Sequence, residues 1–126
     1  MSIKNDEENL SIDRIQNPAF EGELTKRSMW MKEWRKRYFI LKGNKLYFSK
    51  SKNDAPHGFI DLADCLTVKS AEDKTNKRYC FEVATPDTTY YMYAQNEEQK
   101  DEWIGAIGRA IVQVSTCFTG DQDEEE

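Results

Sequence analysis

At 126 residues, with 38% hydrophobic side chains and three Trp, six Tyr and six Phe, the chain is sized for one compact domain and too apolar to be a disordered chain of similar charge. Its formal charge of −5 speaks against a uniformly basic polyanion binder, and no apolar run approaches the roughly 20 residues that cross a bilayer. Any membrane contact is therefore expected to be peripheral.

The charge is unevenly spread. Residues 1–21 carry two basic and five acidic side chains, residues 22–58 ten and three, and residues 59–126 six and fifteen. A chain polarised in this way can turn its basic segment toward an anionic surface while its acidic remainder faces away.

In chain order, residues 1–18 read as a charged arm, because they are weakly periodic and Pro18 disfavours helix at Asn17. The domain is expected over 19–116. Alternating apolar and polar side chains, bounded by Gly, Pro, Asn or Asp, predict strands near 21–27, 35–42, 45–50, 57–61, 65–70, 78–84 and 88–94. Gly43-Asn44 and Thr85-Pro86-Asp87 read as hairpin turns, which makes the strands they join antiparallel. The period then changes: Trp103, Ile107, Ala110, Ile111 and Val114 recur at helical spacing. Asn96 and Gln99 form a capping-box pattern, and Glu97 and Glu98 suit the positive end of the helix dipole. Gly105 and Gly108 weaken that helix by about 1 kcal/mol each relative to Ala, so close packing against strands is the expected reason for them. Residues 117–126 read as a solvated acidic tail. Seven antiparallel strands closed by one amphipathic helix make a mainly β, α+β domain of barrel or sandwich type.

The three cysteines, Cys65, Cys80 and Cys117, are widely spaced and lack a CxxC pair or a His cluster, so reduced thiols are expected and no metal site is. The N-terminus has no apolar signal core, and Ser2 stands where myristoylation requires glycine.

Strand alternation then singles out a face. Leu24 and Lys26 share one side of the first strand; Arg35, Arg37, Phe39 and Leu41 share one side of the second. The side that becomes core further along thus begins with cations. Lys26, Arg35 and Arg37, with Glu33 as the nearby carboxylate, repel one another unless hydrated or neutralised by a multivalent anion. Guanidinium forks and a mobile ammonium suit a phosphate group. A solvated basic hairpin that protects an edge strand is the alternative. Between these cations Met29, Trp30 and Met31 form an apolar tip flanked by Lys26, Arg27 and Lys32. Such a tip can enter a membrane interface while the cations hold the headgroup layer, or it can fold back onto the domain.

These residues resemble the pleckstrin homology family. Its opening Gly-x-Leu-x-Lys is matched by Gly22 to Lys26, and its Trp-Arg-Lys-Arg-Tyr-Phe-Ile-Leu by Trp34 to Leu41; Leu46-Tyr47-Phe48, the turn from Pro56 to Leu62 and Trp103 continue the similarity across about 20–115. The run from Asp64 to Lys69 and the stretch from Asn96 to Gln113 look like the small stand-alone members of plants and protists. The resemblance implies a seven-stranded barrel closed by a C-terminal helix, with an inositol-phosphate pocket whose basic signature falls on Lys26, Arg35 and Arg37. Lys32 and His57 join the expected ligand set, and Lys36, on the opposite face, is expected to matter less. Trp30 stands where another basic residue is common, Phe48 where a phosphate-binding Tyr is common, and His57 where an Arg is common. These departures favour a monophosphoinositide, phosphatidic acid or loosely selective binding over a trisphosphate.

Catalysis is not expected, because the single histidine, His57, has no adjacent nucleophile and no carboxylate pair stands out. The function expected is that of a monomeric cytoplasmic protein without a cofactor, peripherally bound to anionic phospholipid membrane and serving signalling or trafficking. A protein-interaction module on the same fold, its partner unknown, is the runner-up. Nucleic-acid binding has no recognised motif behind it.

Overall fold

The computed structural model of the chain describes residues 15–125, with side chains described to Gln113. Most of the expected arm, and the side chains of Val114, Cys117 and the acidic tail, lie outside the described residues. Seven strands form one antiparallel sheet: β1 (Phe20–Arg27), β2 (Trp34–Lys42), β3 (Lys45–Ser49), β4 (Gly58–Asp61), β5 (Thr67–Ser70), β6 (Cys80–Ala84) and β7 (Thr89–Tyr93), in the order β4-β3-β2-β1-β7-β6-β5. One short helix, α1 (Glu72–Thr75), precedes β6, and a long helix, α2 (Glu97–Glu125), follows β7 and takes in the backbone of residues 117–125.

Both expected hairpins are present. Gly43 takes φ 61°, a left-handed conformation that costs glycine little, at the turn between Lys42 and Lys45. The Thr85 N–H donates to the Thr88 carbonyl at 2.8 Å and closes the β6–β7 turn. Two strands, β5 and β6, start two residues later than expected. Leu62–Asp64 winds into a 3-10 turn, in which the Ala63 N–H donates to the Asp61 carboxylate at 3.0 Å, and this delays β5. The short α1, unforeseen in the sequence, ends on Asn76 at φ 59°, and Tyr79 at φ 64° delays β6.

The inward faces of the strands and one face of α2 meet in a single core that includes Leu24, Phe39, Leu41, Phe81, Met92, Trp103 and Ile107. The cap of α2 forms as expected, with the Gln99 N–H donating to Asn96 Oδ1 at 2.8 Å; Gln99 Oε1 reaches back to the Gln95 N–H at 3.4 Å, one residue short of the capping-box partner. The expectation for Gly105 and Gly108 does not hold. A Cβ on Gly108 would meet Val68 at an ordinary 3.9 Å, and one on Gly105 would meet only the flexible end of Arg109 at 3.4 Å. Close packing against strands therefore demands neither glycine.

Cys65 and Cys80 carry free thiols, each pushed above the ordinary cysteine range chiefly by burial. No helix among the described residues is long and apolar enough to cross a membrane.

Candidate functional site

The β1–β2 ladder pairs Lys26 with Arg35 and Leu24 with Arg37, so the strand face that buries Leu24 and Phe39 ends in cations near the hairpin tip. A cleft of about 370 Å³ opens there. Lys26, Arg35, Arg37, His57 and the apolar Met29, Trp30 and Met31 all line it, with Ser28 and Phe48 completing its wall. Lys32 is the one expected ligand residue outside the lining. Its backbone instead shapes the loop, at φ 55° and with its N–H donating to the Ser28 carbonyl at 3.1 Å.

Two more bonds brace this loop: the Ser28 N–H donates to the Glu33 carbonyl at 2.7 Å, and the Glu33 N–H donates to Ser28 Oγ at 3.2 Å. A tight base with large apolar side chains at its tip leaves those side chains nothing to pack on. Trp30 is 94% exposed, Met31 63% and Met29 53%. The tip does not fold back onto the domain.

The three cations are held differently. Arg35 Nη2 pairs with Glu33 Oε1 at 2.7 Å, with both side chains about half exposed, an arrangement that contributes under about 1 kcal/mol and leaves the pair open to exchange for a stronger anion. Arg37 donates to the Lys36 carbonyl at 2.8 Å and has no carboxylate partner among the described residues. Lys26 Nζ lies 5.0 Å from the Phe48 ring centroid and 5.7 Å from that of Tyr90. Burial, and after it the charge of Arg37, holds this ammonium below its usual pKa. Phe48 is the residue that sequence reasoning undervalued. Lacking the hydroxyl of the expected Tyr, its ring supports Lys26, packs at a tilt of 36° against His57 with centroids 5.2 Å apart, and meets Phe39 edge-on at 5.7 Å. Its cross-strand partner had to be small, because a Cβ on Gly58 would fall 2.6 Å from the ring.

His57 is held below the ordinary imidazole value by desolvation first and then by Arg37, Lys50 and Lys26. As pH falls through the ordinary histidine range, the unfolded chain therefore takes up a proton before the folded one does. The small stability contribution of this residue is present above that range and lost below it. Since the chain has a single histidine, an NMR titration reads one imidazole. It should titrate below a model peptide, and Arg37→Ala should move it upward; a value at or above the model peptide's would mean that the cleft is not positive.

The arrangement can accept an anion with several oxygens: one unpaired guanidinium, one exchangeable guanidinium, a partly desolvated ammonium and an imidazole that an anion would help to protonate.

Comparison with known proteins agrees with the fold. The PH domain family profile matches residues 18–112. Pleckstrin homology domain-containing protein 1 of Arabidopsis thaliana is 43% identical over 114 residues, covering 86% of this chain and 79% of that protein. A PH domain-containing protein of Dictyostelium discoideum is 36% identical over 104 residues, covering 81% of this chain but only 23% of its own length. Among solved structures, the C-terminal PH domain of pleckstrin in complex with D-myo-Ins(1,2,3,4,5)P5 aligns with a TM-score of 0.61 at 32% identity, covering 72% of this chain and 95% of that one.

Proposed function

Because this chain belongs to the PH domain family, we propose that it is a non-catalytic membrane-targeting module that binds the phosphate of an anionic phospholipid headgroup in the cleft of Lys26, Arg35 and Arg37. The observation that carries the proposal is the convergence of these cations and His57 beside an apolar tip exposed to solvent. Phosphate and membrane surface arrive from the same side, so a headgroup can enter the cleft while Trp30, Met29 and Met31 enter the interface. That the similar pleckstrin domain is crystallised with an inositol pentakisphosphate supports an inositol phosphate as the ligand class. Phe48 and His57 in place of a Tyr and an Arg leave fewer phosphate ligands, which favours a monophosphoinositide or phosphatidic acid. Lys32, outside the cleft, acts on the surface potential. The protein works at the cytoplasmic face of a membrane, peripherally attached.

The tip and the cleft are separable by experiment. Trp30→Ala removes a large side chain whose burial is worth about 1.5–3 kcal/mol, so binding to phosphoinositide vesicles should weaken at least about tenfold while affinity for a soluble inositol phosphate stays unchanged. Equal losses in both assays would mean that Trp30 serves headgroup binding from the cleft wall and would end the insertion account.

A further inference from the structure

Ser28 stands on the cationic face of the β1–β2 hairpin. The ladder pairs Lys26 with Arg35 and Arg27 with Trp34, and the Ser28 N–H continues it by donating to the Glu33 carbonyl at 2.7 Å. Alternation therefore puts Ser28 on the same side as Lys26, across from Glu33. Half-buried, it lines the cleft of Lys26, Arg35 and Arg37, and it carries the one hydroxyl among the lining residues.

That hydroxyl has only a modest part in the loop. Its oxygen accepts the Glu33 N–H at 3.2 Å, the long end of the hydrogen-bond range, and its proton has no acceptor among the described residues. The loop beyond it can open at small cost, because Met29, Trp30 and Met31 are exposed and a few hydrogen bonds at the base are what close it. The surrounding sequence suits an enzyme that would modify it. Lys26 and Arg27 precede Ser28 and Met29 follows, a pattern of cations and then an apolar side chain that an acidic substrate groove selects.

We propose that Ser28 is phosphorylated by a protein kinase selective for basic sequences, and that its phosphate fills the cleft, closes it to a headgroup and releases the protein from the membrane. The release rests on the headgroup reading above; the seating of the phosphate does not. In the transfer, Ser28 Oγ attacks the terminal phosphorus of a nucleoside triphosphate. The new O–P bond forms as the bond to the bridging oxygen breaks, the diphosphate leaves with that electron pair, and the hydroxyl proton passes to a carboxylate of the kinase. The product carries a charge of about −1.5 to −2 and three acceptor oxygens. Arg37 is free of any carboxylate among the described residues, and Arg35 has only the half-exposed Glu33 at 2.7 Å. The phosphate offers these guanidiniums more charge than Glu33 does and repels Glu33 across the hairpin, so Arg35 changes partner and the phosphate settles where a headgroup phosphate would sit.

Three measurements test this. Wild-type protein is incubated with a serine kinase of basic-sequence preference and magnesium ATP, and mass spectrometry locates the phosphate. It is expected on Ser28; failure to modify Ser28 in the folded protein would overturn the proposal. Next, phosphoserine is incorporated at position 28 during translation, with and without Arg35→Ala/Arg37→Ala, and the phosphate is titrated by phosphorus-31 NMR. Lys26, Arg35, Arg37, His57 and Lys50 act on it against Glu33. Its second ionisation should fall about one unit or more below the ordinary value of about 6 and return toward it in the double variant. An ordinary value in both proteins would mean that the phosphate stays in solvent, and would overturn the proposal. Last, on phosphatidylcholine vesicles containing mixed phosphoinositides, the phosphoserine protein should bind about tenfold or more weakly than the unmodified one. Equal binding would overturn the release. An unmodified protein that pellets with none of these lipids would count against the headgroup reading alone, because the phosphorus titration decides the seat of the phosphate without any lipid.

Discussion

Alanine at Arg37 is expected to weaken headgroup binding about thirtyfold, the equivalent of losing roughly 2 kcal/mol of charge-assisted hydrogen bonding, while the fold stays intact. Arg37 is the guanidinium of the first cleft that has no carboxylate partner, and its one hydrogen bond in the free protein is to the neighbouring Lys36 carbonyl. It gives up little to reach a phosphate. Arg35 must first release Glu33, so Arg35→Ala should cost less than Arg37→Ala. Lys26, half-buried on Phe48 and repelled by Arg37, gains most from an arriving anion and couples to Arg37. For that reason the losses in a Lys26/Arg37 double variant should fall short of the sum of the single ones. Calorimetric titration with a soluble inositol phosphate reads these differences, and an Arg37→Ala protein that binds like the wild type would remove the cleft from the account.

Trp103→Ala is expected to destabilise the domain by about 3–5 kcal/mol, which for a domain of this size lowers the melting temperature by about 15–30 °C. Trp103 is 3% exposed on the inner face of α2. Its ring meets Phe20 edge-on at 4.6 Å and Phe39 at 6.3 Å, and it lies over Gly22, where an added Cβ would stand 3.6 Å away. Since Phe39 in turn meets Phe48, this one indole joins the helix to the strand face that ends in the cationic cleft. Trp103→Phe should retain most of the stability. Thermal unfolding followed by circular dichroism checks both variants, and a loss under about 1 kcal/mol for Trp103→Ala would mean that α2 is not the closing element of the core.

Much of this was legible in the residues because strand alternation is strict. Once Phe39 and Leu41 are taken as core, Arg35 and Arg37 must lie on their side, and the β1–β2 register brings Lys26 opposite Arg35. The end of the sheet and its closing helix follow from a change of period that begins near Trp103. What escaped the sequence depends on contacts between distant segments. Nothing local marks Phe48 as a platform for Lys26 and His57, since that role arises only when β3 pairs with β2 and β4. The short α1 and the left-handed Tyr79 are imposed by Glu72, seven residues away from the N–H it accepts.

The measurement that bears most directly on the central claim is vesicle co-sedimentation at physiological salt across the phosphoinositides, phosphatidic acid and phosphatidylserine, comparing the wild type with Arg35→Ala/Arg37→Ala. Selective pelleting of the wild type, sharply reduced in the double variant, is the predicted result and identifies the lipid. Absence of pelleting with every lipid would contradict the membrane-targeting account and direct attention to a protein partner for the same fold.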